Sequence, residues 1–410
     1  MLALELVLVY FPILIVASTA APVDHNATQE TKLLFNHLMH ITNDTGKILF
    51  GHQQDTMMGA YGYHNPYWKL GSPHDGGIQG WLFQPGQVVS NSEDDLSDIK
   101  SITGEYPAVI GFDVGGTFSA DDRKRSAYLI KKASDRGLLI TIAWHLSNPI
   151  SDGSPWVNKD NTGEDIRHSI RRILPNGDVH SKFKVILDEV GDFLRSLKDS
   201  HGSTVPVIFR PYHEMNGGWF WWGTSSKTDN TPDDFKQLFQ FTVRYLRDIR
   251  QVHNILFAYS PDKPFNTADE YLKFYPGDEY VDMLGLDYYF VRPFNPAVSD
   301  FQHKMQILTD LAHSKGKLAA LTETGIFSNG LESHHSFWND HILYPIKSGH
   351  GTARICYIHA WLNICNSQSC EIWVPYKGHP AENEFLNHFY KDPVTIFGST
   401  NGNIHPPVIG

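Results

Sequence analysis

The chain has 410 residues, of which 41% are hydrophobic, 13% aromatic and 19% charged, enough apolar material for a large folded core and too much for disorder over most of the length. Thirty-four Lys and Arg against 45 Asp and Glu leave a net charge of −11, and the basic stretch Arg123-Lys124-Arg125 is short, so neither nucleic acid nor an anionic membrane is an expected partner. Ten Trp and eighteen Tyr point towards ligands that stack on rings, sugars among them, although aromatics also fill cores.

In chain order, Leu6 to Val16 is an apolar run of the length of a signal-peptide h-region, and Ala17-Ser18-Thr19-Ala20 offers small residues for cleavage before Ala21. The n-region departs from the usual pattern, since it carries Glu5 and no Lys or Arg. The expectation is a signal peptide over 1–20 and a secreted, extracellular product with no stable membrane association. Two sequons follow, Asn26-Ala27-Thr28 and Asn43-Asp44-Thr45, which makes Asn26 and Asn43 acceptors for glycosylation in a eukaryotic host. The segment 21–46 is expected to hold a cap helix, roughly Thr28–Ile41, with Leu34, Leu38 and Ile41 facing inward.

From residue 47 to about 395, short β-rich runs alternate with amphipathic stretches. The runs are Lys47–His52, Ala108–Val114, Leu138–His145, Val205–Tyr212, Asn254–Tyr259, Val281–Tyr288, Lys317–Glu323 and Ala353–Trp361, and their near-continuous apolar character is that of parallel strands buried on both faces. Phe183, Ile186, Leu187, Val190, Leu194 and Leu197 form one helical stripe, and Phe235, Leu238, Phe239, Leu246 and Ile249 another. Thr231-Pro232-Asp233-Asp234 supplies a capping hydroxyl, a first-turn proline and two acids; Gly137 and Gly316 end helices just before strands. Eight βα units without GxGxxG or GxxxxGK[ST] predict an α/β fold of the closed (β/α)8 TIM-barrel type with long βα loops, not a nucleotide-binding sheet. The longest insertions, Thr56–Asp98 and Leu146–His180, are expected to rim the catalytic face, and 396–410 is read as a C-terminal tail.

Chemistry in such a barrel sits where strands end. Strand four runs into Arg210-Pro211-Tyr212-His213-Glu214-Met215-Asn216-Gly217-Gly218-Trp219-Phe220-Trp221-Trp222, and strand seven into Thr322-Glu323-Thr324-Gly325. Glu214 and Glu323 thus occupy nearly opposite strand mouths, and two converging carboxylates are the equipment of glycoside hydrolysis; the bland reading makes them surface acids or salt-bridge partners. His145, Asp113 and Tyr288 end strands three, two and six, with Asp287 beside the last, and Trp361 ends strand eight, where it would floor the sugar at the cleavage point or simply fill the rim. A tyrosine near Glu323 would hold that carboxylate ionised, and His213 would tune Glu214. Asp113 has the alternative of pairing with Arg210.

Cys356, Cys365 and Cys370 are too few for a disulfide scaffold. Two readings stand: Cys365 and Cys370 close a small loop and leave Cys356 as a buried thiol, or all three are unpaired. No CxxC or HExxH spacing supports a zinc site, so neither a metal nor a cofactor is expected.

The run Arg210 to Gly217 followed by Trp219 and Trp222, with Thr322-Glu323-Thr324-Gly325 further on and with Gly51-His52-Gln53, Trp144-His145 and Trp361, resembles glycoside hydrolase family 26. That resemblance implies a retaining endo-β-1,4-mannanase, with mixed-linkage β-glucan and β-1,3-xylan as alternative substrates. It also implies Glu214 as acid/base, Glu323 as nucleophile, His213 assisting the acid/base and Tyr288 as partner of the nucleophile. His145, Trp219, Trp222 and Trp361 match sugar-contacting positions, and Asp113 and Asp287 join the expected substrate-binding set. Leu362 stands where many relatives carry arginine. The expected partner is a β-mannan-type polysaccharide and the expected state a monomer. Two other classes were weighed: a metal-dependent barrel hydrolase using His52, His145 and His213, disfavoured by the missing HxH after strand one, and a non-catalytic sugar-binding barrel, which has little need of two facing acids.

Overall fold

The computed structural model describes residues 20–62, 67–69, 80–83, 96–115, 119–159, 162–292, 297–349, 351, 353–365 and 369–398. The leader run Leu6–Val16 and the tail beyond residue 398 lie outside the described residues. Eight parallel strands, β1 (Ile48–Gln53), β2 (Val109–Asp113), β3 (Leu139–Trp144), β4 (Val207–Pro211), β5 (Ile255–Tyr259), β6 (Met283–Phe290), β7 (Leu318–Ile326) and β8 (Tyr357–Ala360), pair in chain order, and β8 closes on β1. All eight predicted strands are present. Two of them, β6 and β7, run two and three residues further than the apolar pattern suggested, because they go on pairing with each other as far as Phe290 and Ile326.

Strand side chains alternate between two apolar compartments. Leu49, Val109, Leu139, Ile208, Leu256, Ala258, Met283, Leu318, Ala320 and Tyr357 point into the barrel. Their neighbours Phe50, Ile110, Ile140, Phe209, Phe257, Leu284, Ala319 and Ile358 point outward under the helices. Each large apolar side chain buried in these layers contributes about 1.5–3 kcal/mol. The outer layer includes α2 (Ala120–Asp135), α3 (His180–Ser196), α4 (Pro232–Arg244) and α5 (Ala297–Lys315). Helix α4 starts as its sequence demands, with Thr231 and Asp234 exchanging capping-box bonds and Pro232 in the first turn.

The bottom of the barrel is closed by the cap helix α1 (Gln29–His40), whose Leu34, Phe35 and Leu38 join the interior layer together with Ile41. Thr28 caps it through the Thr31 amide. The preceding segment is tied across the base: the Val23 amide donates to Asp282 Oδ1 at 2.7 Å, and His253 Nδ1 lies 2.7 Å from Asp24 Oδ2.

One irregularity positions the site. Along β7, Leu321 pairs with Leu286 and Glu323 with Asp287, so Thr322 is an extra residue in the ladder. Before it, Leu318 and Ala320 point inward; after it, alternation is reset, and two successive side chains, Thr322 and Glu323, both face the mouth. At the rim, Cys365 and Cys370 form a disulfide that closes a two-residue antiparallel ribbon, and Asn329 fastens that loop to the end of β7 through Cys370 O and the Ile372 amide. Cys356 is a buried free thiol. Among the described residues no helix is long and apolar enough to cross a membrane.

Candidate active site

Beyond β4 the backbone takes two left-handed steps at non-glycine residues, Tyr212 (φ 55°) and Glu214 (φ 54°). Such conformations cost of order 1 kcal/mol or more each and persist where surrounding structure enforces them. Here the Glu214 amide donates to Ser260 O at 2.8 Å across to the end of β5. The Glu214 carboxyl, 8% exposed, accepts from Trp219 Nε1 at 2.7 Å. Gly217 permits this: a Cβ there would lie 2.3 Å from the Trp219 indole. Burial, together with Asp287, Glu323 and Asp262, holds the Glu214 carboxyl well above the usual range.

Glu323 sits in the opposite electrostatic setting. Arg210 Nη2 donates to its Oε1, the Tyr289 hydroxyl donates to its Oε2 at 2.7 Å, and His213 Nε2 is 3.8 Å from Oε1. The same guanidinium reaches Asp287 Oδ2 at 2.9 Å, and Ser260 and Thr322 each donate to Asp287 Oδ1 at 2.7 Å. Burial, reinforced by Glu323, pushes Asp287 up to about 8 although Arg210 and the two hydroxyls pull the other way. Burial weakens the positive charge of Arg210, but its two carboxylate partners more than restore it. One arginine thus organises two acids.

His213 is buried and neutral: burial, then Arg210 and His145, depress its basicity well below the ordinary value. Its ring lies 4.5 Å from that of His145. His145 is bonded through Nδ1 to Asp113, which also accepts from the His145 and Gly115 amides. Burial disfavours the imidazolium, yet Asp113 raises its pKa overall.

Several sequence expectations are corrected by this geometry. Tyr288 does not touch Glu323: its hydroxyl donates to Asp300 of α5 at 2.8 Å, because Met283, Gly285, Asp287 and Tyr289 form the inward row of β6 and Tyr288 belongs to the outer row. Tyr289 holds the carboxylate instead. His213 faces Glu323, not Glu214. Asp287 is fully buried and bonded on all sides by protein, so it positions Arg210 and does not bind sugar. Trp222 is also fully buried, stacked on Phe220 at 4.3 Å with its Nε1 donating to His213 O, and is part of the floor, not a sugar contact. Asp113 pairs with His145 and not with Arg210. The half-buried aromatic rings left at the mouth are Trp219, Trp361, His145 and Trp156, the last of which lies 4.5 Å from Phe220.

Among the described residues, His213, Asp287 and Glu323 are the group whose donor atoms come within 4.8 Å of one another, as metal ligands must. The set does not fit a cation, since Arg210 already bridges both carboxylates. His52 is bonded to Asp55 at 2.7 Å and belongs to no such group, so His52, His145 and His213 do not assemble as ligands.

A buried carboxyl raised above its ordinary range and, across the same mouth of a closed barrel, an arginine-held carboxylate are the equipment of a glycoside hydrolase. The family model for glycosyl hydrolase family 26 matches residues 76–346, and the chain belongs to that family. It is 32% identical over 325 residues to a mannan endo-1,4-beta-mannosidase of Bifidobacterium adolescentis, covering 74% of this chain and 27% of that protein. It is 29% identical over 309 residues to a mannan endo-1,4-beta-mannosidase of Bacillus subtilis, covering 73% of this chain and 74% of the other. The chain therefore spans about a quarter of the length of the first relative. Among solved structures it resembles GH26C from Muricauda sp., with a TM-score of 0.77 at 28% identity over 94% of this chain and 96% of that one. It also resembles a GH26 beta-mannanase from Bacteroides ovatus, with a TM-score of 0.74 at 30% identity over 93% and 99%.

Proposed function

We propose that this chain is a secreted, retaining endo-β-1,4-mannanase that hydrolyses internal bonds of mannan, glucomannan or galactomannan. The observation that carries the reading is the opposite treatment of two carboxyl groups at one mouth: Glu214 is kept protonated by burial and neighbouring acids, while Glu323 is held by a guanidinium and a phenol. Glu323 attacks the anomeric carbon as the bond to the departing oxygen breaks, and Glu214 delivers its proton to that oxygen, leaving a glycosyl ester on Glu323. Water then attacks the same carbon, gives its proton to the Glu214 carboxylate, and expels Glu323 as a carboxylate. Developing positive charge on the sugar ring is stabilised by the Glu323 carboxylate, which Arg210 and Tyr289 hold in place before substrate arrives.

The names of the Bifidobacterium and Bacillus relatives favour mannan as the substrate. Export rests on the leader run, and the enzyme acts as a monomer. Asn26 and Asn43 are both exposed on the segment that closes the base of the barrel, far from the mouth, so glycans added during export would leave the cleft open. Product analysis on mannan, mixed-linkage β-glucan and β-1,3-xylan tests the reading. Oligosaccharides from mannan, released first as the β-anomer by NMR, are the expected result; preferential cleavage of another polymer overturns the substrate, and initial release of the α-anomer overturns retention.

A further inference from the structure

Three carboxylates act on Glu214: Asp287 from β6, Glu323 from β7, and Asp262 just past β5. The first two share the Arg210 guanidinium, which offsets much of their charge. Asp262 has no guanidinium beside it; its half-buried carboxyl is acted on by the cations Lys263 and Lys304 and by Glu323.

Asp262 is nevertheless held firmly. Asn216 Nδ2 donates to Asp262 O at 2.8 Å, and the Asp262 amide donates back to Asn216 Oδ1 at 2.8 Å. With the Glu214 amide bonded to Ser260 O, the two loops are clamped together on either side of the acid. Both bonds between Asn216 and Asp262 use the Asp262 main chain, so the side chain is free of that structural duty.

We infer that Asp262 is a positioning residue for the acid/base: its negative charge, clamped beside Glu214 through Asn216, keeps the proton on Glu214 at pH values where it would otherwise leave. The inference rests on the reading of Glu214 as acid/base. A like charge beside a carboxyl disfavours its ionisation. The remaining groups around Glu214 do not replace this effect. Trp219 donates to Oε2 and favours the ionised form; Lys263 also favours it, with its ammonium bonded to Tyr289 O. Tyr289 and His213 are neutral. Burial lifts Asp262 itself to about 6, so its charge, and hence its influence, is present above that pH and absent well below it.

The test is the pH dependence of kcat/KM on a soluble mannan for the wild type, Asp262→Asn, Asp262→Glu and Glu214→Gln. The expected result is that Asp262→Asn overlays the wild type on the acid side, while its alkaline limb moves down by about 0.5–1 pH unit, a loss of about 3–10-fold at alkaline pH. Asp262→Glu restores the limb. A loss of equal size at every pH, or an unmoved limb, overturns the inference. If Asp262→Asn does not fold, Asp262→Ser makes the same comparison. Should Glu214→Gln keep both its activity and its limb, the acid/base reading itself fails; should Glu214→Gln abolish them while the Asp262 variants move nothing, only the role of Asp262 falls.

Discussion

Tyr289, and not its neighbour Tyr288, donates its hydroxyl to Glu323, at 2.7 Å from Oε2. The two tyrosines stand on opposite faces of one strand, and substitution separates them. Tyr289→Phe removes a hydrogen bond to a charged group, worth about 1.5–3 kcal/mol, and should lower kcat by about 10–150-fold. Tyr288→Phe gives up the bond to Asp300, whose carboxylate is 37% exposed, and should leave kcat within about twofold while costing less than about 1 kcal/mol of stability. Steady-state kinetics and denaturant melts of the two variants check both statements.

Arg210 is buried between two acids, so its loss is felt by the fold as well as by the reaction. Arg210→Met strands Asp287 and Glu323 without a counter-charge and is expected to destabilise the protein by about 3–5 kcal/mol. Thermal denaturation should show the drop in Tm, and replacing Asp287 by Asn in the same chain should recover part of it.

Trp222 and Trp361 look alike in the sequence and differ in the molecule. Trp222→Ala opens a cavity under His213 and is expected to cost about 3–5 kcal/mol. Trp361→Ala, at the half-exposed mouth, should leave stability nearly unaltered and reduce kcat/KM by about fivefold or more through loss of a ring face worth about 1 kcal/mol. Calorimetry alongside kinetics distinguishes the two.

With Glu214 proposed as the acid and its pKa raised by burial and neighbouring acids, activity is expected to fall as pH rises through that elevated pKa, giving the alkaline limb of the profile. Glu214→Gln should lower turnover of mannan by about 10²–10⁴-fold and remove that limb. An aryl mannoside with a good leaving group should suffer far less in the first step, and azide, which needs no general base, should rescue the second. The linkage has a second reading. The folded pKa lies above the unfolded one, so the contribution of Glu214 to stability is full below the ordinary glutamate pKa and is lost as pH rises through the folded value. Glu214→Gln should therefore make Tm fall less steeply with increasing pH.

Much of the architecture was legible because parallel strands buried on both faces are continuous apolar runs, and all eight could be read from them. The capped start of α4 and the stripe facing the base of the barrel were equally local signals. The two carboxylates stood out because they follow strands four and seven directly. What resisted reading was orientation at the mouth. Simple alternation from Met283 through Asp287 already favours Tyr289 over Tyr288, but the apolar pattern placed the strand end too early for that count to be made. Trp222 lies in a Trp-rich run whose members split between floor and cleft according to loop conformation, which composition does not reveal. The role of Arg210 needed the spatial meeting of β4, β6 and β7.

The extra residue at Thr322 carries a consequence for engineering. Were the same residues laid on a regular ladder, residue 323 would take the parity of Ala319 and Leu321 and aim into the helix layer, away from the mouth. Grafts of strand seven between homologues must therefore carry the irregularity along with the glutamate, since the same residues laid on a regular ladder would turn the carboxylate out of the mouth.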